Sequence, residues 1–339
     1  MPVRIAVVGA GIIGLTTAVK AIETLRDVHI TILADKFTPE TTGDVAAGFL
    51  DPSLIKGVPE EKVRDWCVQT SDFYLELLRG DSASDLGLCL IPAYFLKTEW
   101  IPRPLHADAF LHYRDMTAKE LQMFPSKYRY GAFFVSMIIE CKRFLPYLMR
   151  RFERNGGKLK SYKVHNLEEL ASNFDVVVNC SGVGASAITA DDILEPVRGQ
   201  TIRVHAPWIK HVVLGDGFHV IPNIDNVMLG GTKDFGNWSL IPDPKIRDTI
   251  WNGCVELIPS IKKAKIVEEN VGLRPGRDPV RIEREQRSIP GLHKKLPIIH
   301  NYGHGGSGIT VCWGCADDAV ELLKGAIEDG KFAVQKSRL

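Results

Sequence analysis

The stretch VRIAVVGAGIIG, residues 3–14, joins a short apolar run to glycines spaced as G-x-G-x-x-G. The apolar run predicts a buried strand, and Gly9, Gly11 and Gly14 predict a tight turn into a helix. In such a unit the first glycine permits the turn, the second lets the backbone approach a pyrophosphate, and the third lets the helix pack close to its strand. Amide groups at the helix start then face an anion. The stretch therefore predicts a dinucleotide-binding site rather than an ordinary glycine-rich turn.

A second apolar run, residues 28–33, follows one helix later and leads into Asp35. An acidic side chain at this place can hydrogen-bond a ribose hydroxyl, which completes the strand-helix-strand context of a dinucleotide site. NAD, NADP and FAD all bind such units, so the motif leaves the cofactor open. Asp35 disfavours a 2′-phosphate, although the neighbouring Lys36 weakens that argument. The position of the motif at the N-terminus is typical of a flavoprotein.

Length and charge restrict the class of protein. A chain of 339 residues can form two intertwined domains or one large α/β domain, and two domains are expected. The 42 basic and 41 acidic residues nearly cancel, so nothing predicts attraction to nucleic acid or to an anionic membrane. No run approaches the roughly 18 apolar residues of a membrane span, and no signal-peptide pattern is present. We expect an intracellular, soluble protein with a small-molecule substrate, and leave open whether it forms a homo-oligomer.

The seven cysteines are scattered and odd in number, so they do not predict a disulfide framework. Cys312 and Cys315 have C-x-x-C spacing but lack a second cysteine or histidine pair that would complete a metal site. We interpret them as buried, small apolar residues rather than a redox or metal centre. Reduced thiols and no metal site are expected.

The last three residues, Ser337, Arg338 and Leu339, are similar to the Ser-Lys-Leu peroxisomal address, with arginine in place of lysine. The tail before them is polar enough to be exposed, which a receptor-read signal requires. These residues therefore predict peroxisomal localisation through the import receptor. They also favour oxidase chemistry, because peroxisomes handle hydrogen peroxide.

The remaining patterns predict a discontinuous nucleotide domain. A helix with one apolar face covers about residues 140–154, residues 158–164 predict a strand, and residues 174–182 predict a buried parallel strand that ends in a small-residue turn. Several strand-like runs between residues 197 and 229 predict an antiparallel sheet that roofs the active site. The predicted fold class is α/β, with a Rossmann-type domain interrupted by a second, mainly antiparallel β domain.

Two segments of the final third carry residue types suited to chemistry. Residues 271–281 place three arginines in a turn-rich stretch, and arginine suits bidentate carboxylate binding. A solvated basic loop is the alternative interpretation. Residues 303–310 contain four glycines before a helix predicted over about residues 313–328. Such a run exposes backbone amides to an anion or to an electron-rich ring.

These motifs together resemble those of the FAD-dependent D-amino-acid oxidases, a family that includes D-aspartate oxidases. The matching stretches follow the family's order and span residues 3 to 315: VVGAGIIGL, DKFTPETTGDVAAG, VVVNCSGVGA, VRGQ, GLRPGRDPVR and HNYGHGGSGIT. NCSG, GLRP, LPIIH and the LGGTK of residues 229–233 are more similar to the acidic-substrate branch. The resemblance implies FAD as cofactor, and a D-amino acid and oxygen as small-molecule substrates.

We assign the chain to two discontinuous domains on these grounds. The FAD-binding domain comprises residues 1–50, 141–190 and 271–330, the substrate domain comprises most of residues 51–140 and then residues 191–270, and residues 331–339 form a C-terminal tail.

The resemblance implies cofactor contacts where the motifs match. The glycine turn and helix start would bind the FAD pyrophosphate, the end of the second strand the adenosine, and the loop after it the phosphates and flavin. Residues near the later strands would line the adenine side, and the second glycine run would lie along the carbonyl edge of the flavin. The implied residues are Gly9, Gly11, Ile12, Ile13, Gly14, Asp35, Lys36, Thr41, Thr42, Ala47, Gly48, Val164, Ser181, Gly182, Gly303, Gly305, Gly306, Gly308, Ile309 and Thr310.

The resemblance also implies contacts with the substrate. Arg277, the second arginine of GLRPGR, would clamp the α-carboxylate. His219 takes the place of a roof tyrosine; it would donate a hydrogen bond to the carboxylate and, when protonated, add charge. Gly306 and Ser307 complete the predicted set. No residue is assigned as an acid or base, because in this family the α-hydrogen leaves as hydride to flavin N5.

Lys233 bears on which substrate side chain the site would accept. It falls where the acidic-substrate branch has an arginine, so it would bind the side-chain carboxylate, but without a bidentate fork. A further cation of that branch is replaced around Leu214. In the alternative interpretation, His219 is an ordinary strand residue and Lys233 a surface lysine.

The resemblance implies oxidative deamination of acidic D-amino acids, D-aspartate and also D-glutamate, to the 2-oxo acid, ammonia and hydrogen peroxide. An oxidase of neutral or basic D-amino acids is the first alternative. A flavin-binding protein without turnover and an NAD-linked dehydrogenase are alternatives of another class. Retained FAD colour would exclude the dehydrogenase, and peroxide release would exclude the inert binder.

Overall fold

The computed structural model of the protein describes residues 1–52, 54–80, 83–291 and 295–336. The strands are β1 (Val3–Val8), β2 (Val28–Ala34), β3 (Leu88–Lys97), β4 (Leu111–Asp115), β5 (Tyr130–Ile139), β6 (Lys158–Ser161), β7 (Val176–Asn179), β8 (Glu195–His205), β9 (Val212–Gly215), β10 (Phe218–Pro222), β11 (Val227–Gly230), β12 (Asp234–Phe235), β13 (Lys265–Ser288) and β14 (Lys295–His304). The helices are α1 (Ile12–Thr24), α2 (Thr42–Val45), α3 (Glu60–Leu78), α4 (Ala83–Leu86), α5 (Ala118–Leu121), α6 (Cys141–Arg154), α7 (Ala185–Thr189), α8 (Pro244–Leu257) and α9 (Gly308–Lys336).

The N-terminal strand lies inside a parallel group ordered β14-β7-β1-β2-β6. Alternate residues of β1 are buried on opposite faces of the sheet. Ile5 and Val7 pack in the large core that includes Leu15 of α1, whereas Ala6 and Val8 pack in a separate core on the other face. A strand buried on both faces requires an unbroken apolar run, which residues 5–8 supply; Val3 and the exposed Arg4 precede them.

A second group of strands is mainly antiparallel and continues the same sheet in the order β4-β5-β3-β9-β10-β11-β8-β13, with only β3 and β9 parallel to each other. The long strand β13 joins the two groups, because its first part pairs with β8 and its second part pairs with β14. Helix α8 covers one face of the antiparallel group, where Ile202, Val220 and Leu229 pack against Ile250 and Cys254. The opposite face is left for the site described below.

The fold is therefore α/β, with a Rossmann-type parallel part and a mainly antiparallel part, as the sequence predicts. Helix α6 spans nearly the predicted residues. Two bounds were wrong: β6 ends at Ser161 rather than near Val164, and α9 runs from Gly308 to Lys336 rather than over 313–328. The amides of Thr310 and Val311 already bond to the carbonyl of Ser307, so the glycine run enters the helix instead of ending before it.

The cysteines are free thiols, and Cys312 and Cys315 are fully buried in α9, which confirms their assignment as buried residues. Within the described part of the chain, no group of histidine, cysteine, aspartate or glutamate side chains is arranged to hold a metal ion. None of the helices in the same part is long and apolar enough to cross a membrane.

Candidate active site

The turn between β1 and α1 uses its three glycines differently. Gly9 has φ +107°, and a Cβ there would overlap the carbonyl oxygen of Cys180. A Cβ at Gly14 would overlap the carbonyl oxygen of Gly9, because the helix packs directly on the turn. Gly11 precedes the first helical residue, and a Cβ there would meet nothing within 4 Å. The fold itself thus requires Gly9 and Gly14, whereas Gly11 presents an open surface at the helix N-terminus.

Strands β1, β2, β7 and β14 are parallel, so their carboxyl ends meet at one edge of the sheet, where ligands of open α/β sheets bind. Asp35 and Lys36 are exposed directly after β2, and Ser181 and Gly182 follow β7. The structure therefore brings these predicted residues to the same edge as the glycine turn. Val164 differs, because its side chain is 7% exposed and packs in the core behind the edge. Only its backbone is left to face a nucleotide.

The loop between β2 and α2 is fixed by its own hydrogen bonds. The buried carboxylate of Asp44 accepts bonds from the hydroxyls of Thr38 and Thr41, both at 2.7 Å. Thr42 is exposed and donates to the carbonyl of Leu273 at 3.3 Å. Because Thr41 and Thr42 both donate their hydroxyl protons within the protein, this loop offers an anion chiefly its backbone amides.

A Cβ at Gly48, which has φ +77°, would overlap the carbonyl oxygen of Ile139. The side chain of Ala47 before it is 9% exposed. Gly48 is therefore required for close approach of this loop to the end of β5.

The second glycine run brings the start of α9 against the start of α1. The ideal Cβ position of Gly308 lies 3.6 Å from Cγ2 of Ile12 and 3.9 Å from Cγ1 of Ile13. Gly303 and Gly305 have φ +90° and +55°, which lets the chain turn sharply between β14 and α9. Two helix N-termini therefore converge at the edge of the parallel sheet. Each leaves backbone amides without intrahelical partners.

His304 lies within this glycine run and is 2% exposed. Its Nε2 atom has no hydrogen-bond partner among the described residues. Burial lowers the pKa of His304 to about 3, so the imidazole is neutral near pH 7. A buried polar atom without a partner is expensive. Together with the two helix N-termini and the open surface at Gly11, it fits a large phosphate-bearing dinucleotide bound at this edge.

Two glycines of the antiparallel group support two polar side chains on the face opposite α8. A Cβ at Gly199 would overlap the guanidinium of Arg274, and a Cβ at Gly230 would overlap the imidazole of His219. The two side chains therefore lie flat on the sheet, close to one another. Lys233 follows Gly230 by three residues and lies near enough to lower the pKa of His219.

Arg274 is a partly buried cation beside the backbone of Thr232. Its Nη1 donates to the carbonyl of Thr232 at 3.1 Å, and no carboxylate among the described residues lies within ion-pair distance. Burial lowers the pKa of Arg274 from its ordinary value, which means that the charge is poorly solvated. A guanidinium in this state is a strong receptor for an external carboxylate.

Arg277 does not join this group, which corrects the sequence assignment. Its Nε forms a 2.7 Å ion pair with Asp191, and its Nη1 donates to the carbonyl of Pro279. The side chains of Arg277 and Asp191 are only 12% and 5% exposed. A guanidinium already neutralised by a buried carboxylate is a poor carboxylate clamp. Of the two arginines, Arg274 is therefore the one left available to an external carboxylate.

His219 lies on the predicted face, but it carries no charge. Burial, together with the positive charges of Arg274 and Lys233, lowers the pKa of His219 to about 3. The imidazole is therefore neutral in the free protein near pH 7 and adds no charge there. A neutral imidazole still donates one hydrogen bond, and a bound carboxylate would raise its pKa.

Asp51 is a titratable group of this site that the sequence analysis missed. Its amide donates to Thr310 Oγ1 at 3.1 Å, and Thr310 Oγ1 donates to the Asp51 carbonyl at 3.2 Å, so the residue is tied to the start of α9. Burial raises the pKa of Asp51 to about 6, against the opposing effects of Lys233 and Lys97. A carboxylate therefore lies between the start of α9 and two lysines of the antiparallel part.

Gly306 and Ser307 lie in the same segment as Thr310. Gly306 is exposed and Ser307 is fully buried. Of the two, Gly306 is the one open to a substrate.

Comparisons with known proteins agree with this geometry. The model of the family described as FAD dependent oxidoreductase matches residues 4–322. A D-amino acid oxidase of Dugesia ryukyuensis is 39% identical over 97% of this chain and 100% of its own length. The D-aspartate oxidase of Homo sapiens is 38% identical over 99% of each chain. The crystal structure of glycine oxidase from Geobacillus kaustophilus superposes with a TM-score of 0.75 at 18% identity, covering 95% of each chain, and shows the shared fold.

Proposed function

Since this chain belongs to the family of FAD-dependent oxidoreductases that contains the D-amino-acid oxidases, we propose that its substrates are acidic D-amino acids, namely D-aspartate and D-glutamate. FAD is its cofactor, and the β1–α1 turn, the edge residues after β2 and β7, and the start of α9 would hold it. Bound FAD supplies the redox chemistry, accepting the hydride lost from the substrate α-carbon and passing the electrons to oxygen. The products would be the 2-oxo acid, ammonia and hydrogen peroxide.

The chain's own residues bind and orient the substrate. Arg274 would pair with the α-carboxylate, and His219 would donate a hydrogen bond to it from the neighbouring glycine platform. Both side chains are fixed by the sheet before substrate arrives, because Gly199 and Gly230 let them lie flat. Orientation of this kind supplies up to roughly 7 to 11 kcal/mol of catalysis in favourable cases. No residue needs to act as an acid or base if the amine binds neutral.

The observation that carries this proposal is that neither Arg274 nor Lys233 has a carboxylate within ion-pair distance in the described part of the chain, although Asp51 lies near enough to Lys233 to interact with it. Two cations beside one buried imidazole make a face that is complementary to two carboxylates rather than one. An acidic D-amino acid supplies both. Lys233 would take the side-chain carboxylate, as a point charge rather than a fork.

The second candidate is an oxidase of D-amino acids with neutral or basic side chains, and Asp51 favours it. An ionised carboxylate near the substrate side chain would repel D-aspartate and attract an ammonium group. The two lysines that act on Asp51 offset this effect, and we therefore place the acidic substrates first.

The test is peroxide release by the purified, FAD-supplemented protein with D-aspartate, D-glutamate, D-alanine and D-lysine, each beside its L-form. We expect the highest kcat/KM for an acidic D-amino acid and no peroxide release with the L-forms. A preference for D-alanine or D-lysine would overturn the acidic assignment and leave the family unaffected.

Asp51 predicts a specific pH dependence. Because its pKa is raised to about 6, the side chain is neutral below that pH and anionic above it. The anionic form opposes a substrate carboxylate by about 1 kcal/mol, so the KM for D-aspartate should rise about fivefold between pH 5 and pH 8. Cys67 and Tyr113, which Asp51 also influences, do not titrate in this range, because burial raises the pKa of each. Asp51→Asn should remove the step and lower the KM at pH 8.

The KM for D-alanine serves as the control for this titration. D-Alanine shares the α-amine and α-carboxylate of D-aspartate, so the ratio of the two KM values isolates the side-chain effect. A ratio that changes equally in the wild type and in Asp51→Asn would assign the pH dependence to another group.

We further propose that the protein is peroxisomal. The supporting observation is the Ser337-Arg338-Leu339 terminus, which lies outside the described residues. A fluorescent protein fused to the N-terminus should co-localise with a peroxisomal marker, and removal of the last three residues should leave it diffuse. Unchanged localisation after that removal would contradict the proposal.

A further inference from the structure

The face of the antiparallel group that carries His219 continues across two more strands. Leu214 of β9 is paired with His219 of β10, and Phe95 of β3 is paired with the same Leu214. Directly paired residues of neighbouring strands project to the same face of a sheet. Phe95, Leu214 and His219 therefore form one row on the face opposite α8.

Lys97 lies two residues beyond Phe95 and so projects to that same face. Its Nζ lies 4.1 Å from the centroid of the Phe95 ring, so the side chain folds back along the strand towards the row. Among the described residues, no carboxylate lies within ion-pair distance of this ammonium group. Its charge nevertheless acts on the site, because it lowers the pKa of Asp51.

Lys97 and Lys233 approach the site from opposite ends of the row. Lys233 follows β11, next to His219 and the carboxylate receptor Arg274. Lys97 belongs to β3, which is two strands away from β10 on the other side. Neighbouring strands are about 4.8 Å apart, so β3 lies about 10 Å from the strand of His219. One ammonium group is thus near the α-carboxylate position and the other is far from it.

The far position lies next to an apolar residue of β9, because Leu214 is the residue paired with Phe95. Lys97 therefore brings a positive charge from the adjacent strand to the region where β9 itself offers an apolar side chain.

We propose that Lys97 forms the far end of the side-chain pocket and binds the terminal carboxylate of the longer acidic D-amino acids, whereas Lys233 serves the shorter D-aspartate. This inference rests on the proposed function. Each added methylene extends the side chain by about 1.3 Å. D-Glutamate and D-2-aminoadipate therefore reach further along the row towards Phe95 than D-aspartate does. Lys97 would make this protein discriminate acidic substrates by length.

The test compares Lys97→Gln with Lys233→Gln, and uses Lys119→Gln as a matched control because Lys119 is an exposed lysine of α5. Lys97→Gln should raise the KM for D-glutamate and D-2-aminoadipate about tenfold and the KM for D-aspartate and D-alanine less than about twofold, with kcat unchanged. Lys233→Gln should raise the KM for D-aspartate most. Lys97→Arg, which keeps the charge, should retain the KM for D-glutamate. Equal effects of Lys97→Gln on all four substrates, or no effect, would overturn the inference.

Non-reacting dicarboxylates separate this inference from the proposed function. Glutarate and succinate match the carbon skeletons of D-glutamate and D-aspartate without the amine, and their binding is measured by the change in flavin absorbance. Lys97→Gln should weaken glutarate about tenfold and leave succinate nearly unchanged. A wild-type protein that oxidises only neutral D-amino acids would refute the proposed function in the substrate assay. Equal weakening of glutarate and succinate binding by Lys97→Gln, or no weakening of either, would refute the role of Lys97, whichever amino acid is oxidised.

Discussion

Replacing Arg274 by alanine is expected to lower kcat/KM by about 10²- to 10³-fold for every D-amino acid, acidic or neutral, because all of them carry the α-carboxylate. Loss of one partner of a desolvated charge pair costs about 2 to 5 kcal/mol, and each 1.4 kcal/mol is about tenfold. The fold should survive. Since burial lowers the pKa of Arg274 and no carboxylate pairs with it in the described part of the chain, its removal takes away a poorly solvated charge. The unfolding temperature of the FAD-supplemented variant should be equal to or higher than that of the wild type.

Two variants serve as controls for this result. Arg274→Lys keeps the charge but loses the planar fork, so it should recover only part of the activity. Arg277→Gln breaks the ion pair with Asp191 and should lower the unfolding temperature by several degrees while the KM stays close to that of the wild type. If Arg277→Gln abolished substrate binding and Arg274→Ala did not, Arg277 would be the residue that binds the α-carboxylate and the role of Arg274 would be refuted.

The parallel part of the fold was predictable because its signals are local. An apolar run buried on both faces, three glycines at fixed spacing and an acidic residue after the next strand occupy the first 35 residues, and each has a direct physical cause. Gly14 is required by a contact within this one turn, whereas Gly9 is required by its positive φ and by the carbonyl group of Cys180 after β7. The edge of the sheet at which the cofactor would bind is predictable too, since the carboxyl ends of parallel strands must meet at one edge.

The substrate side of the site was harder to predict because it depends on register between distant strands. Arg274 and Arg277 are three residues apart in β13, so they project to opposite faces, and only the pairing with β8 decides which face is the site. The alternation of residues in β13 gives no such indication, because the whole segment is rich in charge. Gly199 of VRGQ was the one local signal, since a glycine in a strand often marks the close approach of another group.

Asp51 and the charge state of His219 depend on burial, which the sequence does not report. Asp51 lies in a loop whose sequence is that of an ordinary turn. Its place in the site is fixed by a residue about 260 positions later, because the Asp51 amide donates to Oγ1 of Thr310 at 3.1 Å. His219 is neutral because it is enclosed next to two cations. Both properties appear only when the antiparallel part is folded over the start of α9.

Gly11→Ala is expected to weaken FAD binding about 10- to 100-fold while leaving the apoprotein intact. Gly11 has φ −76° and ψ −177°, which alanine adopts freely, and its Cβ would meet no protein atom within 4 Å. The stability of the apoprotein in urea should therefore change by less than about 1 kcal/mol. The cost falls on the complex, because a methyl group would fill the space through which the backbone approaches the pyrophosphate, and overpacking costs about 1 to 3 kcal/mol.

Gly14→Ala provides the contrast, since its Cβ would overlap the carbonyl oxygen of Gly9 within the protein itself. That variant should lose stability as the apoprotein as well as FAD affinity. Titration of each apoprotein with FAD, followed by flavin fluorescence, measures the affinity, and urea unfolding measures the stability. Unchanged FAD affinity in Gly11→Ala would mean that the pyrophosphate does not approach the start of α1. Lower apoprotein stability in Gly11→Ala would mean that the fold itself requires glycine at this position. The loss of FAD affinity could then not be assigned to a contact with the cofactor.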